Sequence, residues 1–430
     1  MKRLLILILI ILPFLGSCKK EVDAPEITPV QARDSLYFLM KSVYFWYKVM
    51  PSVDRENYAD PYTLMEAMMY KPLDRWSFVA DYDEFMAEMK GGFVGHGIRI
   101  GLDNTDQVRI VMIYKNSPLY AEGVRRGWII KKINDIDLAP IMISHDAVAY
   151  NNAFGPSSTT VTNKFLFQKP DGTDITISSK KASFTINSVI LYDTLHLSTG
   201  VTGHLVFESF IEPSVQELRT AFAFFKANGV KDLIVDLRYN SGGYLYVAQE
   251  LASYLVGNGY TTTNFATIEY NDNYQAYNQS FKFITTSYPL SLSRVIFITS
   301  RLTASASEDV MNGIAPQMAF VSIGDTTGGK PMGSLGFPCG KKYIFSPITS
   351  KVTNSLGRGE FFDGFAPDKI AIDDIAHDFD DRNEKCLNEA IRYIETGSFS
   401  AKGAEAFSRS VQYSEKPTWM NNTFIQKIDR

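Results

Sequence analysis

The sequence lacks an excess of charge of either sign. Its 430 residues include 43 basic and 47 acidic side chains, which gives a net charge of −4 at pH 7. Proteins that grip the phosphate backbone of nucleic acids usually carry a clear basic excess. Nucleic acid is therefore not expected as a partner. The chain length and the 45% of apolar residues instead favour two or three globular domains.

Cysteine and histidine are also scarce. Three cysteines are too few for a disulfide framework, and Cys339 and Cys386 are not spaced like zinc ligands, although a single bridge between them stays open. The five histidines are scattered, and no His-Glu-x-x-His motif occurs. This argues against a metalloenzyme or a Ser-His-Asp triad, although distant histidines can meet in space. We expect neither a metal nor another cofactor.

The N-terminus carries an apolar run over residues 4–12 behind two basic residues, a pattern typical of an export signal and too short for a comfortable membrane span. The following Leu-Gly-Ser-Cys resembles a bacterial lipobox, which implies cleavage before Cys18 and lipid attachment to that cysteine. A cleaved signal without a lipid is the alternative. Residues 19–27 are charged and contain a proline, which suits a flexible tether.

Residues 28–90 are predicted to form a small helical region, because Leu36, Met40 and Val43 recur at helical spacing. Residues 91–190 change to short strands and turns, interrupted by one short helix. In this second region, residues 117–135 (SPLYAEGVRRGWIIKKIND) resemble a PDZ domain of the bacterial protease type.

The PDZ resemblance places a carboxylate-binding loop at the four consecutive residues Gly95, His96, Gly97 and Ile98. Backbone N–H groups in such a loop hold a terminal carboxylate while the peptide adds as a strand to the sheet edge. An ordinary β-turn is the alternative for these four residues. The position of His96 is usually apolar in that family, so the peptide preference stays open.

Residues 191–398 alternate strands with helices, as expected of an α/β core. Strands are predicted over residues 233–238, 295–299 and 319–323, and each leads into a loop that carries glycine, serine or lysine. In α/β sheets, functional sites gather at the carboxyl ends of strands. We therefore expect the three loops to meet at one site.

Two of these loops hold the most reactive pair of residues. Ser305 lies in Thr-Ala-Ser-Ala-Ser-Glu, and Lys330 ends Gly-Gly-Lys, with no histidine between them. A serine hydroxyl is a weak nucleophile until a base takes its proton, and a lysine can do so if burial lowers its pKa. The competing interpretation is a capping box, in which Ser305 and Glu308 satisfy N–H groups at a helix start.

Three motifs in this order behind a PDZ-like segment resemble the C-terminal processing, or tail-specific, proteases: residues 236–243 (DLRYNSGG), 303–308 (TASASE) and 328–330 (GGK). The resemblance covers residues 91–394 and includes the family's 25-residue spacing between serine and lysine. It implies a serine peptidase with an α/β core of strand-turn-helix units like those of crotonase and Clp protease, within a multi-domain α+β protein.

The resemblance also implies a role for each site residue. Ser305 would be the nucleophile and Lys330 the general base. Ala306, together with Gly242 or Gly243, would form the oxyanion hole, and Glu308 and Thr327 would support the site. Family members often place glutamine four residues after the lysine, glycine directly after it and an acidic residue eleven positions after the serine. This chain has Ser334, Pro331 and Pro316 at those positions.

Three further segments carry weaker signals. The aromatic-rich residues 257–288 predict either a lid over the site or a packed insertion. The acidic residues at 373–381 are predicted to be a solvated entry to a helix, without the spacing of a calcium loop. The polar tail at 399–430 shows no chemistry.

Two main classes of function remain from the sequence, with a serine hydrolase that acts on a non-peptide ester as a third. The first is a lipid-anchored serine endopeptidase of the bacterial cell envelope, periplasmic or surface-exposed, that engages unfolded or C-terminally exposed polypeptides through its PDZ domain. The second is a non-catalytic envelope scaffold that binds peptides. The expected partners are polypeptides with free C-termini and a membrane reached through lipidated Cys18.

Overall fold

The structure is a computed structural model, and it describes residues 26–401 and the backbone of residues 412–414. Cys18 and the predicted export signal lie outside the described residues. Among the described residues, no helix is both long enough and apolar enough to cross a membrane.

The N-terminal region consists of three α-helices, one strand and a short 3-10 helix at Arg55–Asn57. The α-helices and the strand are α1 (Pro29–Val43), α2 (Pro61–Met68), β1 (Phe78–Asp81) and α3 (Tyr82–Met89). The start of α1 is fixed by a reciprocal cap, in which Gln31 N–H donates to the Thr28 hydroxyl and Thr28 N–H donates to the Gln31 side chain. The sequence pattern predicts the helices and misses β1. That strand forms because it pairs with a distant strand at Tyr343–Ser346.

The second region holds most of a seven-stranded sheet. Its elements are β2 (Gly92–Gly95), β3 (Ile98–Leu102), β4 (Val108–Ile113), α4 (Pro118–Ala121), β5 (Ile129–Ile133), β6 (Ile136–Asp137), α5 (Leu138–Ile143), α6 (Ala147–Phe154), β7 (Thr162–Gln168), β8 (Asp174–Lys180) and β9 (Ala182–Thr185). Instead of the one expected short helix there are three. Leu138 and Met142 of α5 and Phe154 of α6 are buried in the core of this unit.

The third region contains a six-stranded sheet and the helices that cover it. Its elements are β10 (Val189–Leu197), β11 (Gly200–Phe207), α7 (Ser214–Ala227), β12 (Asp232–Asp236), α8 (Leu245–Val256), β13 (Asn264–Tyr270), β14 (Gln279–Lys282), β15 (Arg294–Thr299), α9 (Ala306–Ile314), β16 (Ala319–Gly324), β17 (Met332–Ser334), β18 (Phe337–Cys339), β19 (Tyr343–Ser346), β20 (Ile348–Thr353), β21 (Lys369–Ile370) and α10 (Lys385–Thr396). A last strand, β22 (Gln412–Ser414), follows in the tail.

The six-stranded sheet has the order β10-β11-β12-β15-β16-β21 and is parallel except for its first pair. Both of its faces are buried, which explains the continuous apolar runs of its strands. Leu233 and Val235 of β12 pack toward α7, α8 and α9, whereas Ile234 packs toward α10. The carboxyl ends of β12, β15 and β16 therefore lie side by side, as the sequence predicts.

The four strands β17 to β20, which follow Lys330, join two smaller sheets. One has the order β14-β13-β20-β17 and includes two strands of the aromatic-rich segment, and the other has the order β1-β19-β18. Phe265 and Phe283 are buried in the main core, so this segment is in large part a packed insertion. Helices α1 and α2 cover Met332, Tyr343 and Phe345, which brings the N-terminal region against the loop that carries Lys330.

Candidate active site

Ser305 occupies a strained position at the start of α9. Its φ of 57° and ψ of −120° are unusual for a residue other than glycine. Such backbone strain costs about 1–3 kcal/mol and concentrates at functional sites. Hydrogen bonds fix the segment around it: Ala304 N–H and the Ser307 hydroxyl both donate to the Asn240 carbonyl, at 3.1 and 3.0 Å. The strained serine is thus held by the loop that follows β12.

The carboxylate of Glu308 joins the serine and lysine segments. One of its oxygens, Oε2, accepts from Ser305 N–H at 3.0 Å and from Lys330 N–H at 2.7 Å. The other, Oε1, accepts from Gly329 N–H at 2.7 Å and from the Thr327 hydroxyl. Because the backbone nitrogens of Ser305 and Lys330 share one acceptor, these two nitrogens lie no more than about 6 Å apart.

The capping-box contact from Glu308 to Ser305 N–H is therefore present, but it serves a larger purpose than ending a helix. Glu308 is fully buried, and burial raises the pKa of its carboxyl while its four donors oppose the rise. Thr327 also accepts from Phe365 N–H at 2.7 Å, so its hydroxyl links Glu308 to the segment after residue 360. The helix cap and the active-site scaffold, which are alternatives in the sequence, are thus one and the same contact in the structure.

Burial also lowers the pKa of Lys330 below its ordinary value, while the carboxyl groups of Asp74, Asp309 and Glu308 oppose this shift. Asp309 lies one residue after Glu308 in α9, and burial raises its pKa well above the usual range. The pKa values of Asp309 and Lys330 thus move toward each other. Burial thus favours the uncharged form of each group.

The glycine pair after β12 lies against the serine. A Cβ atom on Gly242, whose φ is +103°, would lie 2.8 Å from Ser305 Cβ and 3.0 Å from Ala306 N, so only glycine fits. The N–H of Gly242 donates to Asn240 Oδ1 at 2.9 Å. Of the two glycines that the sequence offers for an oxyanion hole, Gly242 is therefore engaged elsewhere. Within the described part of the chain, Gly243 and Ala306 carry backbone N–H groups that make no hydrogen bond.

Arg75 is a site residue that the sequence analysis misses. Its guanidinium donates to the carbonyls of Gly328, Gly329 and Phe362, at 3.0, 3.2 and 2.8 Å. The two glycine carbonyls directly precede Lys330 in the chain. Arg75, from the N-terminal region, thus binds the carbonyl groups of the lysine loop, whereas Glu308 binds its N–H groups. No spacing in the sequence links residue 75 to residue 330, since the contact depends on the packing of α1 and α2.

Residues 373–381 are predicted from the sequence to be a solvated entry to a helix. The structure instead places Asp373 of this stretch in a cluster of buried ion pairs. Asp373 pairs with Arg126 and Arg238, both at 2.9 Å, and accepts from the Tyr239 hydroxyl. Its pKa is lowered because these partners outweigh the opposing effect of burial. Arg238 is itself buried and also pairs with Asp236 and Glu384. This cluster braces the end of β12 just before the glycine pair.

The same cluster connects the second region to the core. Arg126 follows α4 and donates to the Tyr239 hydroxyl at 2.7 Å. Arg99 of β3 donates to the Tyr239 carbonyl at 3.2 Å and forms a buried ion pair with Glu208. Tyr239 directly precedes Asn240, which anchors the serine segment. Two arginines of the strand-rich second region therefore contact the residues that position the site.

The predicted carboxylate-binding loop, Gly95 to Ile98, connects β2 to β3, and all four of its residues are buried. The His96 side chain points into the core of its unit, where its ring nitrogens lie 3.0 Å from the Ser179 hydroxyl and 2.7 Å from Asn163 Oδ1. Burial lowers the pKa of His96 to about 4. The His96 side chain is thus a structural element of this unit.

Among the described residues there is no cluster of metal-binding side chains, and both Cys339 and Cys386 are free thiols. No disulfide therefore joins Cys339 to Cys386. The residues that the structure brings together at the site are Ser305, Lys330, Ala306, Gly242, Gly243, Glu308 and Thr327.

Comparison with known proteins identifies the sequence pattern. A family model described as Peptidase family S41 matches residues 201–371, and one described as Peptidase S41 N-terminal domain matches residues 32–78. The chain is 24% identical over 336 residues to the carboxy-terminal processing protease CtpB of Bacillus subtilis, covering 74% of this chain and 66% of that protein. It is 24% identical over 268 residues to a carboxyl-terminal-processing protease of Picosynechococcus, covering 62% of this chain and 61% of that one.

The chain thus spans slightly less than two thirds of the length of each of these relatives. Among solved structures, that of a Bacteroides fragilis protein assigned to the S41 proteases superposes with a TM-score of 0.72 at 22% identity. The superposition covers 87% of this chain and 98% of that one, so the two share a fold.

Proposed function

The chain belongs to peptidase family S41, and we propose that it is a serine endopeptidase that uses Ser305 as nucleophile and Lys330 as general base. The observation that carries this proposal is the Glu308 carboxylate, which binds the backbone of both residues through one oxygen while burial lowers the pKa of Lys330. A vestigial pair would have no need of this buried scaffold.

In the proposed reaction, the neutral amine of Lys330 takes the hydroxyl proton of Ser305 as Oγ attacks a peptide carbonyl. The N–H groups of Ala306 and Gly243 donate to the oxygen that becomes negative, and the N-terminus of α9 adds a favourable dipole. The protonated lysine then returns the proton to the departing amine. Water, activated by the same lysine, hydrolyses the acyl group from Ser305 and restores the serine.

Substrate recognition is proposed to use the PDZ-like unit. An unfolded or C-terminally exposed polypeptide would add as a strand along the edge of β3 and place its carboxylate at the loop of residues 95–98. The position of this loop directly before β3 supports the proposal. Arg99 of β3 and Arg126 both contact Tyr239, which directly precedes Asn240. These contacts join the PDZ-like unit to the segment that holds the serine.

The protein is further proposed to act in the bacterial cell envelope, anchored by a lipid on Cys18. Support comes from the apolar run at residues 4–12 and the lipobox that ends at Cys18. A Cys18→Ala variant should move from the membrane fraction to the soluble fraction of cells. Retention in the membrane fraction would overturn the anchor.

The proposed activity is tested by mass spectrometry of casein incubated with the purified chain from Lys19 onward. Wild type should cut casein, and Ser305→Ala and Lys330→Met should both fail to do so while keeping the wild-type unfolding temperature. Lys131→Met, which removes a surface lysine paired with Asp174, is the matched control and should cut normally. Cleavage by Lys330→Met would refute the lysine's role, and an intact substrate with wild type would favour the peptide-binding scaffold.

A further inference from the structure

The outer edge of the seven-stranded sheet is occupied by the chain's own tail. Strand β22 pairs antiparallel with β3, with Gln412 opposite Gly101, Tyr413 opposite Ile100 and Ser414 opposite Arg99. The strand order is β22-β3-β4-β5-β7-β8, so without β22 the edge strand would be β3. The sequence of this tail contains no motif that predicts a function. Its backbone nevertheless covers the edge that the proposed function assigns to substrate.

The direction of this pairing is the one that a bound peptide would take. Each later residue of β22 stands opposite an earlier residue of β3, so the tail runs toward the start of β3 at Ile98. The loop of residues 95–98 lies at that end. A peptide that adds to β3 with its terminal carboxylate at the loop must run the same way. Peptide and tail therefore compete for the same backbone groups.

We infer that residues 412–414 are an intramolecular ligand of the β3 edge, which a polypeptide substrate must displace before it binds. This inference rests on the proposed use of that edge for substrate. The chain continues for 16 residues beyond Ser414, so the tail does not place a chain terminus there. A substrate with a free C-terminus brings a terminal carboxylate to the loop of residues 95–98, and this group favours its binding there.

The tether sets the strength of the competition. Residues 402–411 join the end of the core to β22, and a connection of this length spans at most roughly 40 Å. A ligand joined to its site by a connection of this length has an effective concentration on the order of 1 mM. If the isolated tail binds with a Kd of about 100 µM, it weakens the binding of an added peptide roughly tenfold. An uncovered β3 edge would also expose unpaired N–H and C=O groups to other chains.

The test measures binding by fluorescence anisotropy of a labelled synthetic peptide with the sequence of residues 409–416. All proteins carry Ser305→Ala, so that no cleavage intervenes. A chain that ends at Ala401 should bind this peptide about tenfold more tightly than the full chain. Hydrogen exchange in the segment of β3 should also be faster in the shortened chain. Equal affinity and equal exchange would overturn the inference.

A second set of variants keeps the full chain. Proline at all three positions of β22, Gln412, Tyr413 and Ser414, removes the backbone donors that an added strand needs. This variant should bind the labelled peptide like the shortened chain. Proline at Ser408, Arg409 and Ser410 is the matched control and should bind like the full chain. If both proline variants behave alike, strand pairing is not the cause.

The outcomes separate this inference from the proposed function. Tight peptide binding by the shortened chain, together with intact casein in the cleavage assay, would retain the tail as a ligand and remove the peptidase. Casein cleavage together with equal binding by the full and shortened chains would retain the peptidase and remove the tail as a ligand.

Discussion

The serine-lysine site and the β3 edge are built in opposite ways. At the site, side chains and backbone are locked together, with four donors on the Glu308 carboxylate and three carbonyls on Arg75. At the β3 edge, β22 is joined to β3 through backbone pairing, and we propose that a polypeptide substrate can replace it. Catalysis requires fixed geometry, whereas the binding of varied polypeptides requires an exchangeable partner.

The largest loss of catalysis is expected from Glu308→Gln, because this carboxylate holds the site together. The amide nitrogen would replace one carboxylate oxygen and face two donors, which leaves two hydrogen bonds unmade in a buried place. We expect kcat to fall about 100- to 1000-fold. Steady-state cleavage of a quenched fluorescent peptide measures it. Glu217→Gln, which alters a partly buried carboxylate in α7, should stay close to wild type.

Two buried histidines make the stability of the folded protein depend on pH: His96 in the unit that holds β3, and His204 in the core. Burial lowers the pKa values of His96 and His204 to about 4, so the folded state takes up their protons less readily than the unfolded state does. Their stabilising contribution is complete above pH 6.5 and is lost as the pH falls from 6.5 toward 4. By pH 4.5 each loss amounts to roughly 2–3 kcal/mol.

Thermal unfolding between pH 7.5 and 4.5 checks this expectation. His96→Asn should flatten the acid dependence of the unit that holds β3, and His204→Asn should flatten that of the core. An unchanged slope in both variants would show that neither ring stays neutral in the folded protein.

Arg75→Met tests whether the N-terminal region takes part in fixing the site. Loss of three carbonyl contacts should loosen the loop before Lys330 and lower kcat about 10- to 100-fold, with KM nearly unchanged. Arg33→Met is the control, because Arg33 donates to the Tyr58 carbonyl within the same region and touches no part of the site. If both variants lose kcat equally, Arg75 acts only through the stability of that region.

The smallest effect is expected at Asp309. Burial raises the pKa of its carboxyl well above the usual range and so favours the uncharged acid. Asparagine keeps that neutral shape, so Asp309→Asn should retain kcat within about tenfold. A far larger loss in the same peptide assay would mean that the reaction uses the carboxylate form.

What could be predicted from the sequence follows from how local each feature is. Ser305, Lys330 and the glycine pair follow strands whose apolar runs are visible in the sequence, so their meeting point could be anticipated. Arg75 reaches the lysine loop only through the packing of α1 and α2, and Asp373 reaches Arg238 across 135 positions. The sequence does not show that the His96 side chain points into the core, because its partners Asn163 and Ser179 lie 67 and 83 positions away.

The role of Lys330 as general base is tested most directly by the pH dependence of Ser305 phosphonylation with a fluorophosphonate probe. This rate depends on the base that activates Ser305 and requires no polypeptide substrate. Since burial lowers the pKa of Lys330, the rate should rise with pH and reach its midpoint clearly below 10.5, the ordinary value for lysine. In Lys330→Met this rise should vanish and the rate should be low throughout. A midpoint near 10.5, or the same profile in Lys330→Met, would contradict the assignment of Lys330 as the base.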